Sequence, residues 1–421
     1  LKPDFGVIGE GEETIIELLT KLKTGGKTTQ VNGIICKNEN NETIITKSRK
    51  LIEDLDLLPF PDFNGIGFNE SLENASAYGL FDYPRIYPIL CSRGCPFQCT
   101  FCYHCLGIKY RIRSIEGILK ELKVAIKKYK INSIMIYDDL FSFDKQRLYD
   151  FCKRIKKLIK EVSWEIRWDC QISVQNVDKE MLRILKDSGC YEVSYGFESY
   201  SSIVLKSMKK PITPQQIDNA IKLTLESGLS IRGGFIFGDT AETKETAYET
   251  LNYWKKNCRG LIGLNFIQPY PGSEIYNNCV KKGIIKDKLD FIKNHISHIN
   301  WLNLTNNMSD GEILKLKEDI LDARRRHCKY TIPLSIHEDR KNKNRYNILI
   351  KCPQCNKKIL YRNCFINNRI HYFIGMCCKN CFNRISISSK LYKFGMLHYQ
   401  GLDFLRRNYL LIRDNFLKKR L

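Results

Sequence analysis

The sequence has no apolar run long enough to cross a bilayer, because charged residues interrupt its longer hydrophobic stretches. A membrane-spanning helix needs about 20 consecutive apolar residues. No signal-peptide pattern follows the first residue, Leu1, so we expect the chain to be part of a longer protein. Its 421 residues are enough for two or three domains. We therefore predict a soluble, cytoplasmic protein with no transmembrane segment.

Acidic residues are scarce near the C-terminus. Residues 341–421 contain 18 lysines and arginines but only two acidic residues, Asp403 and Asp414, and the whole chain has a net charge of +22. Such a basic segment can contact a polyanion, either nucleic acid or an anionic glycan, or a membrane surface. A solvated basic face is an equally good interpretation.

Cysteine is nearly absent from the start of the chain, where Cys36 is the only one before Cys91. Seven of the 18 cysteines then form close-set motifs, namely Cys95-x3-Cys99-x2-Cys102, Cys352-x2-Cys355 and Cys378-x2-Cys381. In a long chain this clustering indicates metal or cluster ligation in a reducing cytosol rather than disulfides.

Six β-rich runs alternate with helical patterns between Arg85 and Gly283. The predicted strands are Tyr87–Leu90, Ser133–Tyr137, Trp164–Cys170, Glu192–Phe197, Ile231–Phe237 and Leu264–Gln268. The predicted helices are Ile115–Tyr129, Lys145–Val162, Asp178–Ser188, Pro214–Ser227, Thr243–Asn257 and Ser273–Lys282. This alternation predicts an α/β fold, a partial (β/α)6 barrel with a small C-terminal metal-binding ribbon. Catalytic groups should follow the strands, because barrel enzymes place them at the carboxyl ends.

The first cysteine motif directly follows the first predicted strand. Iron–sulfur clusters normally take four cysteine ligands, so a loop offering Cys95, Cys99 and Cys102 leaves one iron open to another ligand. The alternatives are a structural zinc site, with Cys91, His104 or Cys105 as fourth ligand, and plain buried cysteines.

This motif, with Phe101 before its last cysteine, resembles the signature of the radical S-adenosylmethionine (SAM) superfamily. Tyr137–Phe141, Tyr195–Ser199 and Gly233–Gly238 resemble family landmarks at the ends of the second, fourth and fifth strands. The resemblance implies that the open iron of a [4Fe–4S] cluster binds SAM. An electron from the cluster would then cleave SAM, and a 5′-deoxyadenosyl radical would abstract hydrogen from the substrate. A donor such as flavodoxin or ferredoxin would supply the electron.

The resemblance also implies roles for five residues. The backbone near Asp138 and Asp139 would face the methionine end of SAM, Glu198 its polar groups, and Phe101 with the Gly234 strand its adenine. Each has a structural alternative, because the aspartates could cap a helix, Glu198 could be a paired barrel charge, and glycine permits close strand packing. After the fifth strand the run Gly238–Thr243 lacks the family's proline and second glycine, which puts SAM contacts by this loop in doubt.

The run Gly9–Thr14 and the linker Leu55–Pro61 resemble the junction between a cobalamin-binding domain and a radical SAM barrel. The Asp-x-His-x-x-Gly motif of many cobalamin domains is absent, so cobalamin would bind to a domain upstream of Leu1. We predict an enzyme that reductively cleaves SAM to modify an unidentified substrate, as a cobalamin-dependent methyltransferase or a related oxidoreductase. The alternatives are a tRNA-modifying radical SAM enzyme and a non-catalytic nucleic-acid-binding protein with an iron–sulfur cluster and a zinc ribbon.

Cys352, Cys355, Cys378 and Cys381 resemble the ligands of a zinc ribbon, since four thiolates suit tetrahedral Zn²⁺. A second iron–sulfur cluster and a metal-free loop are the alternatives, and Cys364 and Cys377 are candidate substitute ligands. The predicted division of the chain is 1–75, the end of a cobalamin-binding-like domain and linker; 76–300, the partial barrel; 301–345, a helical extension; 346–390, the zinc-ribbon-like unit; and 391–421, a basic amphipathic helix.

Overall fold

The computed structural model describes residues 3–76, 79–296, 302–339, 341–342, 344–365 and 373–388. The predicted basic helix at 391–421 lies outside these residues. No helix in the described part of the chain is long and apolar enough to span a membrane. The predicted domain boundaries stay predictions.

A parallel sheet of six strands lies at the centre, and each strand pairs with the next in chain order. The strands are β1 (Ile86–Ile89), β2 (Ser133–Ile136), β3 (Arg167–Gln171), β4 (Cys190–Glu198), β5 (Ser230–Phe237) and β6 (Gly263–Phe266). This confirms the predicted partial (β/α)6 barrel, with β1 and β6 as the two edges of the sheet.

Six helices follow these strands: α1 (Ile115–Tyr129), α2 (Lys145–Ile159), α3 (Lys179–Asp187), α4 (Pro214–Ser227), α5 (Lys244–Asn257) and α6 (Glu274–Lys281). A short helix, Ser202–Ser207, precedes α4, and α7 (Asp310–His327) packs on α5. Each of the six begins after a residue whose side chain accepts a hydrogen bond from a first-turn N–H, namely Ser114, Asp144, Asp178, Thr213, Thr243 and Ser273. These caps satisfy donors that the helix itself leaves unpaired.

The main hydrophobic core lies between the sheet and its helices. Trp168 of β3 packs edge-on against Phe151 of α2, with ring centroids 5.4 Å apart, and both side chains are fully buried. The opposite face of the same strands carries polar side chains, including Asp169 and Glu192. Since successive strand residues point to opposite faces, the inner face of the barrel is polar where the outer face is apolar.

A small unit precedes the barrel. Three antiparallel strands, Phe5–Val7, Ile34–Lys37 and Thr43–Ile45, pack with a helix at Glu12–Thr24. A 3-10 turn at Thr28–Gln30 lies between this helix and the second of these strands. A 3-10 turn at Leu55–Leu57 and a short α-helix at Phe68–Glu73 then precede β1.

The segment after the barrel forms two small sheets. A turn of helix at Lys288–Asp290 and a π-helical turn at Phe291–His295 precede α7. Ser335–Glu338, Arg345–Lys351 and Lys358–Phe365 form one antiparallel sheet. Arg384–Ser388 lies between Phe373–Cys377 and Tyr330–Thr331 in the other.

Candidate functional site

The cysteine loop, residues 94–110, follows β1 and carries the three predicted cluster ligands. A short antiparallel ribbon joins its two ends, with Ser92–Arg93 paired to Arg111–Ile112. Gly94 has a φ of +82°, and a Cβ atom there would overlap the carbonyl oxygen of Lys109. Glycine is needed at this position because the closure leaves no room for a side chain.

Asp138, which follows β2, holds the first strand of that ribbon. Its Oδ1 accepts a hydrogen bond of 2.6 Å from the Cys91 N–H, and its Oδ2 accepts one of 2.6 Å from the Ser92 hydroxyl. The residue is only 2% exposed. Burial raises the pKa of Asp138 to about 6, although both hydrogen bonds act to lower it. Its carboxylate therefore supports the cysteine loop from the sheet.

The three loop thiols line one cavity of about 290 Å³ beyond the carboxyl ends of the strands. The loop also contributes Phe101, and the sheet side contributes polar groups after β2, β3 and β4. Those polar residues and their neighbours are Asp139, Gln171, Ser173, Gln175, Gly196, Glu198 and Lys210. The cavity thus combines a soft-metal donor set with hydrogen-bonding groups on the opposite wall.

Lys210 forms an ion pair with Glu198 inside this cavity, with 3.0 Å between Nζ and Oε1. Burial alone would lower the pKa of the Lys210 ammonium, but the charges of Glu198 and Cys99 raise it above its usual value. Glu198 has a left-handed backbone, with φ at +59°. A non-glycine residue in this region costs about 1–3 kcal/mol, and such strain is concentrated at functional sites.

The ionisation of the loop thiols suits an iron–sulfur cluster, which is held by thiolates. A hydrogen bond between Cys99 and Cys102 lowers the pKa of Cys99 and raises that of Cys102. The Lys210 ammonium favours the thiolate of both. Because thiolate is the form that binds metal, a buried cation nearby offsets the negative charge that three thiolates would gather here.

The three candidates for a fourth zinc ligand at this loop have different surroundings. Cys91 is fully buried, and Nε2 of His104 lies 2.6 Å from the carbonyl oxygen of Phe97. Cys105 is exposed. Among the described residues, the loop thiols do not form a group as compact as the four C-terminal cysteines, whose ligand atoms all lie within 4.8 Å.

The structure brings most of the predicted site residues together. Phe101, Asp139 and Glu198 line the same cavity as the three thiols. The Asp138 carboxylate supports the loop through Cys91 and Ser92. Gly234 is not among the described residues that line the cavity, but it pairs in register with Gly196, which is.

Sequence reasoning missed Lys210 and Gln171. Both are ordinary polar residues without a motif. Only their position after β4 and at the end of β3 marks them.

The loop after β5, which departs from the family pattern, is held by its own acidic residues. Glu242 Oε2 accepts a hydrogen bond of 2.5 Å from the Gly238 N–H, and Asp239 Oδ1 accepts one from the Ala241 N–H. Burial raises the pKa of Glu242 to about 8, against the Gly238 hydrogen bond, which lowers it. These two hydrogen bonds hold the turn that follows β5.

Residues 89–253, which include the cysteine loop and the strand ends that form the cavity, match the model of the radical SAM superfamily. The chain contains a radical SAM domain. It is 30% identical over 284 residues to the "uncharacterized methyltransferase PH0819" of Pyrococcus horikoshii, covering 67% of this chain and 59% of that one.

Two further similarities agree with this assignment. The anaerobic magnesium-protoporphyrin IX monomethyl ester cyclase of Rubrivivax gelatinosus is 27% identical over 298 residues, covering 69% of this chain and 52% of that protein. The fold resembles that of the radical SAM methyltransferase TsrM from Kitasatospora setae, solved with cobalamin and a [4Fe-4S] cluster bound. The TM-score is 0.52 at 18% identity, covering 66% of this chain and 54% of that one. The chain therefore spans between half and three-fifths of the lengths of these three proteins.

The four C-terminal cysteines form a second site. The Sγ atoms of Cys352 and Cys381 are 3.9 Å apart, and those of Cys355 and Cys378 are 3.7 Å apart. Burial alone would raise the pKa of Cys355, but hydrogen bonds from the Lys357 N–H and neighbouring groups lower it to about 7. These four thiols could bind a metal ion. Cys364 and Cys377 are buried outside this compact group.

The four-cysteine unit, residues 345–388, is attached to the barrel at the end opposite the cysteine loop. Arg384 makes a bidentate contact with Glu192 at the start of β4, with distances of 2.6 and 2.8 Å. Glu192 is fully buried and also pairs with Arg232, which in turn contacts Asp169. The unit is therefore tied to the polar interior of the barrel through Glu192.

Proposed function

We propose that this chain is an enzyme that reductively cleaves SAM at a [4Fe–4S] cluster bound by Cys95, Cys99 and Cys102. The observation that supports it is the single cavity in which these three thiols face Asp139, Glu198 and Lys210. When bound, the cluster supplies the electron that cleaves SAM and so generates the radical that attacks the substrate. The protein's part is to bind, orient and exclude water.

The cavity residues divide that work between them. The Lys210 ammonium offsets the charge of the thiolates and holds Glu198 in place. Asp139 and Glu198 offer acceptors to the charged amino group and the hydroxyls of SAM. Phe101 provides an apolar surface for the adenine and keeps water from that side.

Cluster assembly tests the ligand assignment. Wild-type protein reconstituted without oxygen should bind four iron and four sulfide, because three thiolates and one exogenous ligand complete a cubane cluster. SAM should then change the electron paramagnetic resonance (EPR) spectrum of the reduced cluster. Replacing Cys102 with alanine should abolish iron binding at this site. Cys105→Ala is the matched control, because this exposed thiol belongs to the same loop and should be dispensable. Loss of iron in Cys105→Ala would instead support a four-ligand site.

For the reaction itself we propose methyl transfer, with cobalamin bound by a domain that precedes this segment in the full-length protein. The relative from Pyrococcus is named a methyltransferase, and TsrM binds cobalamin. Oxidation remains the second candidate, since the Rubrivivax relative is a cyclase. SAM with a deuterated methyl group separates them. Methyl transfer places the label in the product, whereas oxidation leaves it in methionine.

We propose Zn²⁺ as the metal of the four-cysteine site. A tetrahedral ion with Zn–S bonds of about 2.3 Å requires sulfur atoms about 3.8 Å apart. The observed separations of 3.9 and 3.7 Å meet this requirement. Purified protein should contain one zinc, and Cys378→Ser should lose it. Iron and sulfide bound there would contradict zinc.

We further propose that the chain works in the cytoplasm, since none of its 18 cysteines forms a disulfide. A donor such as flavodoxin or ferredoxin would supply the electron to its cluster. We also propose that the basic segment, residues 341–421, contacts a polyanion. Since tRNA is a polyanion, a tRNA substrate stays an alternative. Deleting residues 389–421, without disturbing the docked four-cysteine unit, should then remove salt-dependent RNA affinity. Unchanged affinity would contradict this contact.

A further inference from the structure

A buried carboxylate from the N-terminal unit lies against the stem of the cysteine loop. The stem is the two-stranded ribbon formed by Ser92–Arg93 and Arg111–Ile112. Glu10 precedes the helix at Glu12–Thr24, and its side chain is only 3% exposed. The neighbouring guanidinium groups of Arg111 and Arg93 are 2% and 13% exposed. A charged group buried this deeply needs partners, because losing water without them is costly.

Both strands of the stem ribbon contact this one carboxylate. Arg93, on the outgoing strand, donates from Nη1 to Glu10 Oε1 at 2.7 Å. Arg111, on the returning strand, donates from Nη1 to Oε1 at 3.0 Å and to Oε2 at 2.8 Å. Oε2 also accepts the Ile52 N–H at 2.8 Å. Glu10 thus joins the two strands through charge-assisted hydrogen bonds, which are the stronger kind.

The same network continues into the loop. Arg111 donates from Nη2 to the carbonyl of Leu106 at 2.8 Å. The next residue, Gly107, accepts a hydrogen bond of 3.3 Å from the Cys95 N–H. Glu10 is therefore connected through Arg111 to the returning arm of the loop, and that arm contacts the first cluster ligand.

The ribbon needs such support because it has only two residues in each strand. An isolated two-stranded ribbon is marginally stable at best. Burial alone would raise the pKa of Glu10, but the hydrogen bonds from Arg111 and Arg93 lower it below its usual value. The carboxylate is therefore charged at neutral pH and can hold both guanidinium groups.

We propose that Glu10 is a positioning residue for the cluster ligands, which fixes the stem through Arg93 and Arg111 and thereby places Cys95 against Cys99 and Cys102. This inference rests on the proposed function in so far as it concerns SAM. It also assigns a task to the Gly9–Thr14 run, which connects the segment before the barrel to the loop that holds the cluster.

Hydrogen exchange in the cluster-free full chain tests whether Glu10 fixes the stem, an arrangement that we call the clamp. This measurement does not rely on SAM chemistry. Glu10→Gln keeps the shape and the acceptor but removes the charge. Amides of residues 94–110 should then exchange about tenfold faster, as expected when a charge-assisted hydrogen bond is lost. Glu13→Gln is the matched control, since Glu13 is 59% exposed and pairs only with Arg49 among the contacts described. Wild-type exchange in Glu10→Gln would overturn the proposal.

Cluster-loaded protein provides the second measurement. Glu10→Gln should bind iron but show a Kd for SAM raised about tenfold and a weaker SAM-induced EPR change, while Glu13→Gln matches wild type. If wild type itself binds no SAM, the proposed function fails, and the exchange result still decides on the clamp. Should Glu10→Gln not fold, Arg93→Gln, which removes one of the two guanidinium partners of Glu10, should show the same exchange effect at smaller size. Wild-type exchange in that variant would also overturn the clamp.

Discussion

Replacing Asp138 with asparagine should stabilise the folded protein at pH 7.5. Asparagine can accept the Cys91 N–H with its oxygen and donate to the Ser92 hydroxyl, so both hydrogen bonds of 2.6 Å can be kept in neutral form. Burial raises the pKa of Asp138 from 3.8 to about 6. Each pKa unit is 1.36 kcal/mol, so the charged form costs about 3 kcal/mol relative to a neutral one.

The pH dependence gives the sign of this effect. An acid with a raised pKa binds its proton more tightly in the folded state, so its contribution to stability falls from about pH 4 to about pH 6 and is constant above. The advantage of Asp138→Asn should therefore be small at pH 4 and reach up to about 3 kcal/mol at pH 7.5. Anaerobic denaturant unfolding of the cluster-free protein across this range measures it.

A control of opposite sign is available in Asp178. Hydrogen bonds from Lys145 and the Met181 N–H lower its pKa, so this residue adds stability above pH 4 that is lost as the pH falls. Asp178→Asn should therefore be destabilising at pH 7.5 and less so in acid. An Asp138→Asn variant that loses stability relative to wild type as the pH rises would refute the account of a buried, costly charge.

Three further outcomes are expected. Gly94→Ala should lose most of its iron, because a side chain would overlap Lys109. Gly65→Ala should keep its iron, because Gly65 also has a positive φ but has open space around it. Arg384→Met should destabilise the protein by about 3 kcal/mol, measured by unfolding, and release the four-cysteine unit to proteases, because Glu192 loses a partner while buried. Removing metal from the four-cysteine site with a chelator should lower Tm in calorimetry, since ligand binding to the folded state is folding free energy.

Much of the fold was predictable from periodicity and capping residues. The limits of α1 and α4 match the prediction, because Ser114 and Thr213 are strong caps and Gly228 ends α4 in a left-handed conformation. β3 was placed too early, at Trp164 rather than Arg167. Trp164 is a good strand former, but its indole N–H instead donates to the Ile131 carbonyl before the strand begins.

The cluster ligands were predictable because their spacing is local, whereas their supports were not. Glu10 and Arg111 are 101 positions apart, and Arg384 and Glu192 are 192 apart. Nothing in the single sequence pairs them. The resemblance implied that the backbone near Asp138 faces SAM, and this stays a prediction. Nothing in the sequence indicated that the Asp138 carboxylate would contact Cys91 and Ser92.

The most direct test of the central claim is SAM cleavage by the reduced, cluster-loaded protein. Wild type with dithionite should form 5′-deoxyadenosine, measured by mass spectrometry, and Cys99→Ala should form none above the background without protein. Cys105→Ala should retain the activity. Wild-type protein that contains a complete cluster and still forms no 5′-deoxyadenosine would contradict the account.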